Sequence, residues 1–147
     1  MSTTKSNLSP VIDLTGASII TPFYQITGKG TTNADGSNNW ANYRTKVTSL
    51  TTPADMLRVY LDIQQADGSS VVVSAKVGNS QEEIDAATWF EISNVSTSTI
   101  VSDSSFYENT FEKLGISSFT QYQIMIQLKS TSAANVPVCE KLRVLAL

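Results

Sequence analysis

Apolar residues recur at every second position in several stretches of this chain, the period of a strand with one face buried. The clearest stretch runs from Met56 to Gln64, where Leu57, Val59, Leu61 and Ile63 alternate with Arg58, Tyr60, Asp62 and Gln64. After Ala66-Asp67-Gly68, which carries the Asp-Gly signal of a tight turn, Val71, Val73, Ala75 and Val77 repeat the alternation. These two segments are expected to pair antiparallel. Further on, Tyr122, Ile124, Ile126 and Leu128 alternate with Gln123, Met125, Gln127 and Lys129, and a polar loop around Ser130 to Asn135 leads through Pro137 to Leu142, Val144 and Ala146. They are read as a second central pair. Weaker strands are read at Ile19 to Ile26, Tyr43 to Leu50, Trp89 to Val95 and Phe106 to Phe111, each bounded by Gly, Pro, Asn, Asp or Ser.

Eight such segments predict an all-β fold, a single antiparallel β-sandwich of jelly-roll-like character with at most one short helix. That helix is expected after Ser80, because Ser80-Gln81-Glu82-Glu83 has the spacing of a capping box and Ile84 follows. Long loops are expected at Lys29 to Asn39, Gly78 to Thr88 and Val95 to Ser105. The sandwich is assigned to residues 15–147 and an N-terminal arm to residues 1–14. The stretch Leu8-Ser9-Pro10-Val11-Ile12-Asp13-Leu14, continued by Ile19-Ile20-Thr21-Pro22-Phe23, is apolar and punctuated by proline, the character of an extended arm or edge strand. Leu8, Pro10, Val11, Ile12, Leu14, Ile19, Ile20 and Phe23 are therefore candidate assembly contacts. The same residues equally suit packing along the sandwich edge within one chain.

A length of 147 residues suits one domain with its own core. Only 16% of residues are charged, against about 25% in ordinary domains, and Ser with Thr make up roughly a quarter of the chain. The surface is thus polar but weakly charged. There is no histidine, which excludes Ser-His-Asp and Cys-His catalysis and histidine metal sites. A net charge of −3 with scattered Lys and Arg gives no attraction for phosphate backbones, so no nucleic-acid partner is expected. The single cysteine, Cys139, has no second thiol to pair with. The first ten residues lack a signal-peptide pattern, and no apolar run approaches a membrane span. The expectation is a soluble chain used as written, made in a cytosol, with no membrane partner, metal or cofactor.

Three candidate chemistries remain. Asn33-Ala34-Asp35-Gly36-Ser37-Asn38-Asn39 clusters oxygen ligands, but its glycine is out of place for a calcium loop and Arg44 stands where the bidentate glutamate belongs. It is read as a solvated turn. Trp40 and Tyr43, beside that loop, form a candidate glycan-stacking pair, with the alternative that these aromatics bury themselves at the end of the sandwich. Among the acids Glu82, Glu83, Asp85, Glu91, Asp103, Glu108 and Glu112, no spacing selects a catalytic carboxylate pair. No enzymatic activity is expected, and no catalytic residue is assigned.

The ordered blocks Asn7-Leu8-Ser9-Pro10-Val11-Ile12-Asp13-Leu14, Tyr43-Arg44-Thr45-Lys46-Val47-Thr48-Ser49-Leu50 and Asp55-Met56-Leu57-Arg58-Val59-Tyr60-Leu61-Asp62 resemble a β-rich domain of virion structural proteins of large tailed bacteriophages. In that family the domain forms the C-terminal part of tail or baseplate wedge proteins. The ending is similar as well: Phe119-Thr120-Gln121-Tyr122-Gln123-Ile124-Met125-Ile126, then Val136-Pro137, then Leu142-Arg143-Val144-Leu145-Ala146-Leu147. The family's middle strand carries more aromatic residues than Val71-Val72-Val73-Ser74-Ala75-Lys76, and its domain is often fused to a larger protein. The resemblance implies a virion component, in the tail or baseplate or else the neck or capsid surface. It would be assembled in the host cytoplasm, with other virion proteins and copies of itself as partners and no catalytic residues to carry over. Glycan binding at a receptor or host surface is the alternative function.

Overall fold

The computed structural model describes residues 25–30, 39–100, 106–131 and 136–147. The strands are β1 (Gln25–Gly30), β2 (Asn39–Arg44), β3 (Thr48–Ala54), β4 (Leu57–Gln64), β5 (Ser69–Gly78), β6 (Phe90–Glu91), β7 (Ser93–Ile100), β8 (Tyr107–Lys113), β9 (Phe119–Ser130) and β10 (Val138–Ala146), with one helix, α1 (Gln81–Ala86). They form two antiparallel sheets packed into an all-β sandwich. A six-stranded sheet runs β1-β2-β9-β5-β6 with β3 also on β9, and a four-stranded sheet runs β10-β4-β8-β7.

The core lies where the apolar stripes of the two sheets meet. Leu57, Val59, Leu61 and Ile63 of β4, with Phe111 of β8, face Val73 and Ala75 of β5 and Phe119, Tyr122, Ile124 and Ile126 of β9. All of them are buried, so the period of two gives the inward face of each strand correctly. Pairing is another matter. β4 and β5 do not form the expected hairpin, and β9 and β10 are not partners. Instead β4 pairs with β10 and β5 with β9, so each turn carries the chain from one sheet to the other. This nesting is jelly-roll-like: Val59 lies opposite Val144, and Val73 opposite Ile126.

Two expected strands are divided. Tyr43 to Leu50 is split into β2 and β3, which follow one another along the same side of the long strand β9. At the break, the Thr45 hydroxyl accepts a hydrogen bond from the Ile124 N–H (3.0 Å), and Thr45 N–H donates to the Ile124 carbonyl (2.9 Å). A side chain thus replaces one rung of the ladder. Trp89 to Val95 is divided at Ile92, where the chain leaves the six-stranded sheet as β6 and enters the four-stranded one as β7. Ile92 is buried and donates its N–H to the Val73 carbonyl (2.9 Å). β7 then continues to Ile100, into the segment expected to be a loop.

The helix starts where its cap predicts. Ser80 is the N-cap, and its hydroxyl accepts from Glu83 N–H at 3.2 Å. The Glu83 carboxylate in turn accepts from the Asn79 N–H at 2.7 Å. α1 sits so close to the end of β5 that a Cβ on Gly78 would lie 2.9 Å from the Glu83 Cβ. The division between residues 1–14 and 15–147 falls outside the described residues.

Candidate functional site

The candidate assembly contacts Leu8, Pro10, Val11, Ile12, Leu14, Ile19, Ile20 and Phe23 all lie outside the described residues, as do residues 33–38 of the Asn/Asp-rich turn and Asp103. The other candidate residues are distributed over three surfaces.

The first is the outer face of the six-stranded sheet. Strand alternation sends Trp40, Asn42 and Arg44 of β2 to this face, in register with Lys129, Gln127 and Met125 of β9. Tyr43 takes the opposite face, lies opposite the buried Ile126 and packs against the core. The expected Trp40 and Tyr43 stacking surface therefore does not form, because residues three apart on a regular strand point in opposite directions. The structure brings a different aromatic to this face. Trp89, just before β6, lies against both Arg44 and Lys76, each 5.3 Å from its ring centre. Such contacts between a cation and an indole each contribute about 0.5–1 kcal/mol at exposed sites. Beside them the Gln127 side-chain amide donates to Asn42 Oδ1 at 2.9 Å, and that of Gln123 to the Thr45 carbonyl at 2.7 Å. The side chains of Asn42, Gln123 and Gln127 are thus tied by hydrogen bonds within the protein.

The second is the outer face of the four-stranded sheet, where charges are knitted in pairs. Arg58 donates to Glu112, with Nε 2.7 Å from Oε2, and this hydrogen bond holds the guanidinium above its ordinary pKa. Arg143 pairs with Glu108 and lies over the Tyr60 ring at 5.1 Å. Asp62, almost fully buried, lies between Glu108 and Glu140 in register and meets Lys141 Nζ at 3.4 Å. Its Oδ1 has no hydrogen-bond partner among the described residues. Lys141 adopts a left-handed backbone (φ 53°) at a register shift of β10, and this bulge brings the ammonium toward Asp62.

Acids with catalytic potential are dispersed. Glu82, Glu83 and Asp85 decorate α1, Glu91 lies opposite Ser74, and Glu108 and Glu112 are each held by an arginine. No cluster of three acids or cysteines suited to a metal occurs among the described residues. No helix among them is long and apolar enough to cross a membrane. Burial pushes the Cys139 thiol up to about 12, so it stays protonated near neutral pH and is a poor nucleophile.

The third surface is β7, the end strand of the four-stranded sheet. Ser93, Asn94, Val95, Ser96 and Thr97 are all exposed, so neither face of this stretch is covered. On its inward side Asn94 and Thr97 both donate to Asn109 Oδ1, at 2.9 and 2.8 Å. This polar cluster occupies the place that apolar residues hold further into the core. Sequence reading missed Trp89 as a surface aromatic, since nothing in its spacing links it to Arg44 or Lys76. The uncharged run Ser93 to Ile100 is visible in the sequence, where it suggests the end of a strand leading into a loop.

No family model matches the sequence, and no curated protein matches it. Among solved structures, the chain is similar to the enzymatically active domain of tailspike protein 4 from bacteriophage CBA120, with a TM-score of 0.48 and 9% sequence identity. The likeness covers 81% of this chain and 15% of that one, so the chain spans only a small part of the structure it resembles. The expectation that the chain is not an enzyme stands against this neighbour, which is an enzymatically active domain, and that expectation is withdrawn. Absence of catalysis is not carried into the function proposed for the chain.

Proposed function

We propose that this chain is a β-sandwich component of a tailed-bacteriophage particle, located in its tail or baseplate. There it works through contacts with neighbouring virion proteins and with its own copies. The observation that carries this reading is where the resembling blocks fall. Tyr43 to Leu50 covers the junction of β2 and β3, Asp55 to Asp62 leads into β4, Phe119 to Ile126 forms the first part of β9, and Leu142 to Leu147 ends β10. These strands include both partners of the β4–β10 pair and the strand that organises the wider sheet. The similarity to phage virion proteins is thus concentrated in the framework of the fold and not in one loop. The block from Asn7 to Leu14 lies outside the described residues.

The test is localisation. Antibodies raised against the purified chain are used for immunogold labelling of intact particles from an infection in which the chain is produced. Label on tails or baseplates is the expected result. Particles that carry no label while the chain remains in the cleared lysate overturn the proposal.

A further inference from the structure

The ion pairs among the described residues all lie in the four-stranded sheet, where Arg58, Arg143 and Lys141 each meet a carboxylate. The outer face of the six-stranded sheet is built in the opposite way. It brings together two cations, Arg44 of β2 and Lys76 of β5, each 5.3 Å from the centre of the Trp89 ring and so within twice that distance of one another. Neither makes an ion pair among the described residues. Glu83 and Asp85 of α1, which follow Lys76 in the chain, accept instead from Asn79 and Gln81, at 2.7 and 2.8 Å. Glu91 ends the cross-strand row Arg44, Met125, Ser74, Glu91, with two strands between it and the arginine. Like charges held this close repel one another. A chain with 13 acidic and 10 basic residues is not short of acids to set beside them.

Arg44, Lys76 and Trp89 are each partly exposed. The indole fixes both cations, and Lys76 Nζ also donates to the Ile84 carbonyl at 3.4 Å. Arg44 Nε is enclosed and meets no hydrogen-bond acceptor, so the guanidinium keeps a demand for negative charge that the described residues leave unmet. The neighbouring groups are uncharged and able to hydrogen-bond. Gln123 lies opposite Lys76, and Gln127 with Asn42 lies beyond Met125, their amides held in place by the bonds already described. The large apolar side chains that the protein leaves exposed, Val95, Tyr107, Leu114, Val136, Val138 and Leu147, belong to strands of the four-stranded sheet or to the chain beside them. The exposed apolar anchors that a protein partner would use thus lie elsewhere. Fixed amides suit the hydroxyl groups of a sugar, and two fixed cations suit a carboxylate.

We propose that Arg44, Trp89 and Lys76 form a binding site for an acidic sugar of the uronic acid type within a polysaccharide, its carboxylate held between the guanidinium and the ammonium and its hydroxyls beside Gln123. Arg44 supplies a planar pair of donors and Lys76 a point charge. Binding alone is proposed, with no bond made or broken.

Calorimetric titration of the purified chain with a galacturonic acid oligosaccharide tests it, beside the methyl ester of the same oligosaccharide and a glutamate-rich peptide of equal charge. The expected result is saturable binding of the free acid that weakens as salt rises from about 50 to 500 mM. The ester and the peptide bind about tenfold more weakly or less. Arg44→Gln and Lys76→Gln each weaken binding of the free acid by about tenfold or more. Arg44→Lys, which keeps the charge but not the planar donors, falls between them and the wild type. Lys113→Gln, which removes the same charge from an exposed site on the other sheet, leaves binding unchanged. A wild-type chain that does not bind the free acid in the millimolar range overturns the proposal, as does one that binds the ester equally well. Binding of the peptide as tight as that of the sugar overturns it in favour of an acidic protein partner. A loss in Lys113→Gln equal to that in Arg44→Gln overturns it in favour of general charge attraction. The comparison of acid with ester uses the wild-type chain and holds even where a variant loses its fold.

Discussion

Gly68 meets two requirements at once. Its φ of +73° is costly for any residue with a Cβ, and a Cβ there would lie 2.4 Å from the Thr131 hydroxyl. That hydroxyl and the Thr131 N–H both donate to the Gly68 carbonyl, at 3.1 and 3.0 Å, tying together the two turns that carry the chain between sheets. Gly68→Ala is expected to lose about 2 kcal/mol or more, the left-handed backbone accounting for about 1–2 of it. Adding Thr131→Ala removes the clash and should recover part of the loss but not the backbone share, a double-mutant cycle read by urea denaturation. Cys139 gives a pH test. Burial raises its thiol from 9.0 to about 12, so the folded chain holds this proton more tightly than the unfolded chain. Its contribution is complete below about pH 9 and lost as pH rises toward about 12, at no more than about 1.4 kcal/mol per pH unit. Urea midpoints measured from pH 8 to 11 should fall more steeply for the wild type than for Cys139→Ala. Tyr122, also raised by burial, titrates in both proteins and cancels from the comparison.

At the level of elements, α1 depends on its cap. Its six residues are too few to be stable without help, and Ser80 supplies the first satisfied N–H. Ser80→Ala should cost about 1 kcal/mol, and amide exchange should quicken at Glu83 and Ile84 while the core of β9 keeps its protection. An unchanged exchange rate there would show that packing against Gly78 holds the helix by itself. The cap was legible from sequence because its chemistry spans four residues. Strand faces were legible for the same reason: Leu57 to Ile63 and Tyr122 to Leu128 declare their buried sides through a local alternation. Partners were not. Asp67-Gly68 specifies a turn with positive φ, and that turn serves equally to reverse a strand within one sheet or to carry it across to the other. The choice belongs to residues some 50 to 85 positions away, at Ile126 and Val144. The surface was lost in a related way. Trp40 and Tyr43 are three positions apart, an odd step, so placing both on one regular strand already divides them between its faces. Finding Trp89 beside Arg44 and Lys76 required the sheet order β2-β9-β5-β6.

Across the whole molecule, the sandwich closes through contacts distant in sequence. β4 must wait for β10, β5 for β9, and β2 bridges back to β9 with Asn42 bonded to Gln127. No pair of neighbouring strands along β3, β4 and β5 forms a hairpin that could nucleate alone, because β3 and β5 join β9 and β4 joins the other sheet. The local hairpins among the described residues are β1 with β2 and β7 with β8, one in each sheet. Loop closure thus precedes most of the apolar burial, which places refolding in the range of about milliseconds to seconds and not microseconds. The two tryptophans make this measurable. With Trp40→Phe, the remaining fluorescence comes from Trp89, whose contacts to Arg44 on β2 and Lys76 on β5 form only when the six-stranded sheet assembles. In stopped-flow refolding, this fluorescence and far-UV circular dichroism should change together in one dominant phase. A Trp89 signal that is complete within microseconds, or well before the β signal, would mean that β2 and β5 meet without β9. The order of the sheet would then be set by a local cluster, not by long-range pairing.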